Sequence, residues 1–202
     1  MRVVAGALKR RALKAPKGDA TRPTSDRVRE SLFAVLGDVS GLNVLDLYAG
    51  SGALAIEALS RGAARAVCVE VARQALTIIR ENVASLALDA RVVVVGRRVS
   101  DCAPLLAPYA PFELVLIDPP YADVPSGTLG RDLAPLLARS GALFAEDALV
   151  VVEHAARDPA PAFEGLVHED DRRWGDTAAA FYRAVRHSPG QTPGEAPGQA
   201  PR

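Results

Sequence analysis

From Asn43 onward, short apolar runs alternate with longer segments whose apolar side chains recur every three or four positions. The runs at 43–47, 65–69, 91–95, 112–117 and 148–153 read as buried strands. Between them, Ala53–Arg61, Arg73–Leu86, Asp101–Ala107 and Leu129–Arg139 carry helical spacing, with Gly62, Gly96 and Gly141 as breaks. Such alternation predicts an α/β unit, a parallel sheet covered by helices on both faces. The last two runs, 163–174 and 177–185, have no helix between them. They meet at Gly175-Asp176, an Asp/Gly turn of the hairpin kind.

Ahead of this repeat, Arg2–Ala5 and Ala12–Ala15 flank Gly6 and a basic cluster and predict two short strands of a small hairpin. Thr24-Ser25-Asp26 then precedes Val28, Leu32, Val35 and Leu36 at helical spacing, a capped amphipathic helix running to about Gly37. The chain thus divides into a basic hairpin and helix at 1–40, the α/β unit at 41–186 and a tail at 187–202. Repeated Pro-Gly pairs in the tail cannot bury enough apolar surface to order themselves, so disorder is expected there.

Composition narrows the class. Of 202 residues, 49% are hydrophobic and 24% charged, enough for a sizeable core and against global disorder. The longest uncharged run, Cys102 to Phe112, is interrupted by prolines and far shorter than the roughly 20 residues of a membrane span. Lys9-Arg10-Arg11 cuts the first apolar stretch too early for a secretory signal, so a cytoplasmic protein is expected. Cys68 and Cys102 lie in apolar surroundings without metal-ligand spacing and read as small buried thiols, with no metal site. Formal charge is zero, yet residues 1–31 hold nine Lys/Arg against three acids. That asymmetry suggests a polyanion-binding end, with Arg10, Arg11, Arg22, Arg27 and Arg29 as candidates for RNA phosphate contacts.

Three motifs carry candidate chemistry. The first strand feeds into Asp46-Leu47-Tyr48-Ala49-Gly50-Ser51-Gly52, a glycine-rich turn that opens a helix and lets a ligand approach the backbone. Gly50 and Gly52 with Ala55 also satisfy the permissive dinucleotide pattern, which leaves a nicotinamide-dependent oxidoreductase open. Asp46 argues the other way, because its carboxylate repels a pyrophosphate and suits an ammonium or sulfonium group. Glu70, ending the second strand, can accept both hydroxyls of a ribose. Asp118-Pro119-Pro120-Tyr121 ends the fourth strand. Two prolines strip that backbone of amide donors, leaving carboxylate and carbonyl acceptors beside an aromatic face. That inventory fits an exocyclic amine on a planar base.

These motifs, in this order, resemble those of S-adenosylmethionine-dependent amino-methyltransferases. Thr21-Arg22-Pro23-Thr24-Ser25-Asp26-Arg27-Val28-Arg29-Glu30-Ser31-Leu32-Phe33, Ala58-Leu59-Ser60-Arg61-Gly62-Ala63 and Gly175-Asp176-Thr177 narrow the resemblance to the RsmD-type bacterial 16S ribosomal RNA guanine-N2 methyltransferases. The resemblance covers about Arg2 to Val185. It implies a Rossmann-like class I methyltransferase fold, a seven-stranded, mostly parallel sheet with an antiparallel last strand, plus the small N-terminal extension. It implies S-adenosylmethionine as methyl donor, S-adenosylhomocysteine as product and a guanine N2 of 16S ribosomal RNA, naked or in the assembling small subunit, as acceptor; a monomer is expected. Asp46, Tyr48, Ala49, Gly50, Gly52 and Glu70 become the cofactor-binding set, and Asp118, Pro119, Pro120 and Tyr121 the catalytic set. One departure stands out: many relatives place an aspartate just after the third strand for the adenine amine, where this chain reads Gly96-Arg97-Arg98-Val99-Ser100-Asp101. That leaves Asp101 or backbone groups for the role. A non-catalytic RNA-binding protein of the same fold and an adenine-N6 or DNA amino-methyltransferase are the alternatives.

Overall fold

The computed structural model describes residues 1–15 and 25–185. Arg22 and the tail at 187–202 lie outside them. Seven strands, β1 (Asn43–Leu47), β2 (Arg65–Glu70), β3 (Val92–Gly96), β4 (Phe112–Ile117), β5 (Phe144–Ala155), β6 (Leu166–Trp174) and β7 (Thr177–Ala184), form one sheet in the order β3-β2-β1-β4-β5-β7-β6. Pairing is parallel from β3 through β5, and β7 runs antiparallel to both β5 and β6. The expected mostly parallel sheet with an antiparallel last strand is what the chain builds.

Among the described residues six α-helices accompany it: α1 (Asp26–Leu36), α2 (Ala53–Ser60), α3 (Arg73–Ser85), α4 (Val99–Leu106), α5 (Thr128–Leu137) and α6 (Ser140–Leu143). Alternation along each strand divides the core. Val44, Ala66, Cys68, Leu114, Leu116 and Val151 face α1, α2 and α3 on one side. Leu45, Leu47, Val67, Val115, Ile117 and Val152 face α4, α5 and α6 on the other. Central strands buried on both faces read as continuous apolar runs, which is why the sequence signal for them is strong. Both cysteines are buried and free, and desolvation pushes the Cys102 thiol up to about 11, so neither supplies a ready thiolate. Among the described residues no helix is long and apolar enough to cross a membrane.

Differences from expectation are local. β5 starts at Phe144 rather than 148, because Asp147 with φ 58° bends the polar stretch into the strand and the pairing to β4 slips between Phe112 and Leu114. Gly141 does not break the chain but lies inside the short α6. α1 starts as expected, with Ser25 Oγ accepting from the Val28 amide at 3.2 Å.

The front hairpin is reduced to one antiparallel bridge, Arg2 to Ala12, instead of two strands. The Val3, Arg10 and Leu13 amides still bond across it, to the Arg11, Val3 and Met1 carbonyls, but other donors are taken elsewhere. The Val4 and Ala5 amides donate to the Glu57 carboxylate of α2 at 2.8 and 2.9 Å. Ala7 and Leu8 donate to the carbonyl and hydroxyl of Ser60 at 2.7 and 2.9 Å. Asn82 of α3 accepts from the Lys14 amide at 2.8 Å and donates to the Lys14 carbonyl at 3.0 Å. Gly6 lies so close to α2 that a Cβ there would stand 1.9 Å from the Ser60 carbonyl oxygen, and its φ of 77° is itself unfavourable for other residues. Val3 and Leu13 join Leu32 and Phe33 in the core on this side.

Candidate functional site

The three motifs meet at the carboxyl ends of the central strands, where a doubly wound sheet offers its ligand crevice. Leu47 is in register with Val69 of β2 and Ile117 of β4. Just beyond, the Ala49 amide donates to the Val69 carbonyl at 3.1 Å and the Asp118 amide to the Leu47 carbonyl at 3.3 Å. The glycine turn, Glu70 and Asp118 therefore occupy adjacent strand ends.

Asp46 is 1% exposed. Its Oδ2 accepts from the Ala55 amide at 3.1 Å, while Oδ1 is buried with no hydrogen-bond partner. Desolvation pushes its carboxyl up to about 8, with the charges of Asp118 and Glu70 adding to it against the Ala55 hydrogen bond. The first turn of α2 is thus engaged by an internal carboxylate, which leaves that helix start unsuited to a pyrophosphate. The orphaned Oδ1 beside the turn suits a cationic donor instead. Gly52, with φ 75°, is the N-cap of α2, and a Cβ there would press on Ile79 at 3.4 Å.

Glu70 binds its own surroundings tightly. One oxygen accepts from the Gly50 amide at 2.9 Å, the other from the Val71 and Ala72 amides at 2.8 Å each. These bonds clamp the glycine turn to β2, and the oxygen that accepts from Gly50 can still take one further donor such as a ribose hydroxyl, while the other, with two amides, is filled. Tyr48 takes φ 59° and turns its ring away from the glycine turn, its hydroxyl donating to Asp132 of α5 at 3.1 Å. Burial and the Asp132 charge raise its phenol, so it stays a neutral donor.

Across the crevice Pro119 is buried and Pro120 exposed, and the Tyr121 hydroxyl lies 2.8 Å from Thr177 Oγ1 at the start of β7. Leu32, Leu54, Leu116, Ile117, Glu153 and Trp174 line a small adjoining crevice. Asp101 is exposed in the first turn of α4, where its Oδ1 accepts from the Ser100 hydroxyl at 3.2 Å.

The basic residues scatter. Arg29, expected at an RNA phosphate, is instead 0% exposed. Its guanidinium donates to the Asp26 carboxylate at 2.8 Å and the Arg2 carbonyl at 2.5 Å, with Nε 3.6 Å from Glu57 Oε2. A side chain so enclosed cannot reach a solvent-borne phosphate, and the reason is its position: it shares the apolar face of α1 with Leu32 and Phe33. Arg27 is exposed in the first turn of α1. α1 ends beside the last turn of α2, with Arg61 over the Phe33 ring at 4.9 Å, so its first turn points toward the strand carboxyl ends. Arg10 and Arg11 are exposed at the hairpin tip near the C-terminal ends of α2 and α3, where Arg11 donates to the Ser85 carbonyl at 3.0 Å. That places them toward the end of the sheet away from Asp118.

Sequence reasoning missed Glu57, Asn82 and Asp132, and it named Thr177 only within Gly175-Asp176-Thr177, with no role. Glu57 left one trace, a lone acid inside the otherwise apolar Ala-Leu-Ala-Ile-Glu-Ala-Leu run.

Residues 1–183 match the family described as Conserved hypothetical protein 95. The chain is 34% identical over 188 residues to YlbH of Bacillus subtilis (strain 168), covering 91% of this chain and 98% of that protein. It is 38% identical over 164 residues to the ribosomal RNA small subunit methyltransferase D of Escherichia coli (strain K12), covering 80% and 78%. The solved structure of yhhF from Escherichia coli superposes with a TM-score of 0.74 at 28% identity, over 93% of this chain and 99% of that one.

Proposed function

The chain belongs to the Conserved hypothetical protein 95 family, the RsmD-type methyltransferases, and we propose that it methylates ribosomal RNA at the exocyclic N2 of a guanine in the 16S molecule, with S-adenosylmethionine as donor. The observation that carries the reading is the placement of Asp118-Pro119-Pro120-Tyr121 one strand away from the glycine turn, with the Asp118 amide on the Leu47 carbonyl. Acceptors for an amine thereby stand beside a turn whose buried carboxyl keeps one oxygen without a partner.

Asp46 Oδ1, the Ala49–Gly52 backbone and Glu70 would hold the donor, Asp46 toward its cationic part and Glu70 toward its ribose. Bound there, S-adenosylmethionine supplies a methyl group on a sulfonium, and its transfer leaves S-adenosylhomocysteine. Guanine N2 is a poor nucleophile because its lone pair is delocalised into the ring. Asp118 and the Pro119 carbonyl accept the hydrogens of that amine, aim its nitrogen and favour the positive charge that grows on it as the new N–C bond forms. Tyr121 offers its ring to the splayed-out base. Arg27 contacts phosphates beside the crevice, and Arg10 and Arg11 contact RNA that extends down the α2–α3 flank. The enzyme acts as a monomer in the cytoplasm, on 16S RNA or the assembling small subunit.

Mass spectrometry of ribosomal RNA nucleosides from cells with and without the gene tests this. Loss of N2-methylguanosine at one 16S position is expected. A loss confined to methyladenosine or to DNA would favour the other amino-methyltransferases, and no loss would favour the non-catalytic RNA binder. In vitro, Asp118→Ala should nearly abolish transfer with donor affinity kept. Glu70→Ala should weaken donor binding by about 1–3 kcal/mol.

A further inference from the structure

Two prolines before Tyr121 donate no backbone hydrogen bonds. One hold on the ring comes from far along the chain. The hydroxyl at the far end of the ring meets Thr177 Oγ1 at 2.8 Å, across 56 residues. Thr177 is itself fixed from both sides, in register with Ala155 of β5 and with Trp174 of β6. The Ala156 amide donates to the Asp176 carbonyl at 2.8 Å and pins the turn just before it.

A phenol ring pivots about two torsions, and tethering its hydroxyl restricts both. Stacking demands a defined ring plane, and a misplacement of about 1 Å at a reacting centre costs rate steeply. We propose that Thr177 is a positioning residue for methyl transfer: its hydroxyl fixes the ring plane of Tyr121, so that a base stacked on that ring presents its amine to Asp118. The inference rests on the reading of Asp118–Tyr121 as the place of the base. It also gives the outer hairpin of β6 and β7 a part in the reaction, since that hairpin is what delivers Thr177 to the crevice.

The test uses the full chain, labelled S-adenosylmethionine, and 16S RNA or small subunits from cells lacking the gene. Thr177→Val removes the hydroxyl and keeps the side-chain shape. It should lower kcat by about three- to tenfold, the worth of one neutral hydrogen bond, with donor affinity and Tm unchanged. Thr177→Ser should restore the rate. Tyr121→Phe should give the same loss, and the double variant should be no slower than either single one, since one bond is removed in all three. Wild-type kcat in Thr177→Val, or losses that multiply in the double variant, would overturn the proposal. Should the valine variant fail to fold, Tyr121→Phe decides alone, an unchanged kcat overturning it. A wild-type chain that methylates no RNA, or a Tyr121→Ala variant at full rate, would instead refute the underlying reading of the site.

Discussion

Glu57 and Asp46 are both interior carboxylates bound to helix α2, and they differ in how completely they are answered. Glu57, 0% exposed, receives the Val4 and Ala5 amides, the Arg61 guanidinium at 2.8 Å and the Arg29 guanidinium at 3.6 Å. Asp46 receives one amide and keeps a bare buried oxygen. A carboxylate whose lone pairs are all engaged by its own chain has nothing left for a ligand, so the Glu57 region is scaffold. One left partly unanswered costs stability until something arrives, which makes the Asp46 region the stronger candidate for a ligand.

The contrast can be broken most forcefully at Glu57. Glu57→Ala leaves the buried Arg29 without its interior counter-charge and releases two backbone amides, and about 3–5 kcal/mol of stability should be lost. Urea unfolding measures it. A loss below about 1 kcal/mol would mean that the two carboxylates are not different in kind.

Asp46→Asn should do the opposite: Tm of the ligand-free protein holds or rises, while affinity for S-adenosylmethionine falls about tenfold. The pH dependence sharpens this. Folding raises the Asp46 pKa from 3.8 to about 8, so the ligand-free fold binds a proton that the unfolded chain has released. This contribution therefore destabilises the fold progressively as pH rises from about 4 to about 8. A cationic ligand favours the ionised form, so its binding should release a proton below pH 8 and tighten as pH climbs toward that value. Calorimetry in two buffers of different ionisation enthalpy reads the proton directly, and Asp46→Asn should abolish it.

The smallest expected effect belongs to the exposed arginines. Arg27→Ala should reduce the salt dependence of RNA affinity by up to about one unit of slope, with Tm unchanged. Arg29→Ala should lower Tm sharply. If Arg29→Ala changed only the slope, the division between buried scaffold and open surface would fail at the front of the chain.

Most strands were legible because they are buried on both faces and apolar throughout, and the glycine turn and Asp118-Pro119-Pro120-Tyr121 were legible because their chemistry is contiguous in sequence. Arg29 shows what charge counting misses. It lies three and four positions before Leu32 and Phe33, which put it on the inner face of its helix, and its burial there is answered by the neighbouring Asp26, the Arg2 carbonyl and the distant Glu57 together. The same holds for Thr177 and Asp132, whose partners Tyr121 and Tyr48 are 56 and 84 residues away. Local periodicity carries no record of such pairs. The two front strands shrank to a single bridge for a related reason, since the Val4, Ala5 and Lys14 amides were claimed by side chains more than 50 residues downstream.

That last arrangement sets an order for biosynthesis. Val4 and Ala5 leave the ribosome long before Glu57, 53 and 52 residues later, and Lys14 waits 68 residues for Asn82. The front segment is therefore made well before the groups that fix it. Until α2 and α3 emerge, its Lys9-Arg10-Arg11 cluster lacks the Glu57, Ser60 and Asn82 partners that dock the segment around it.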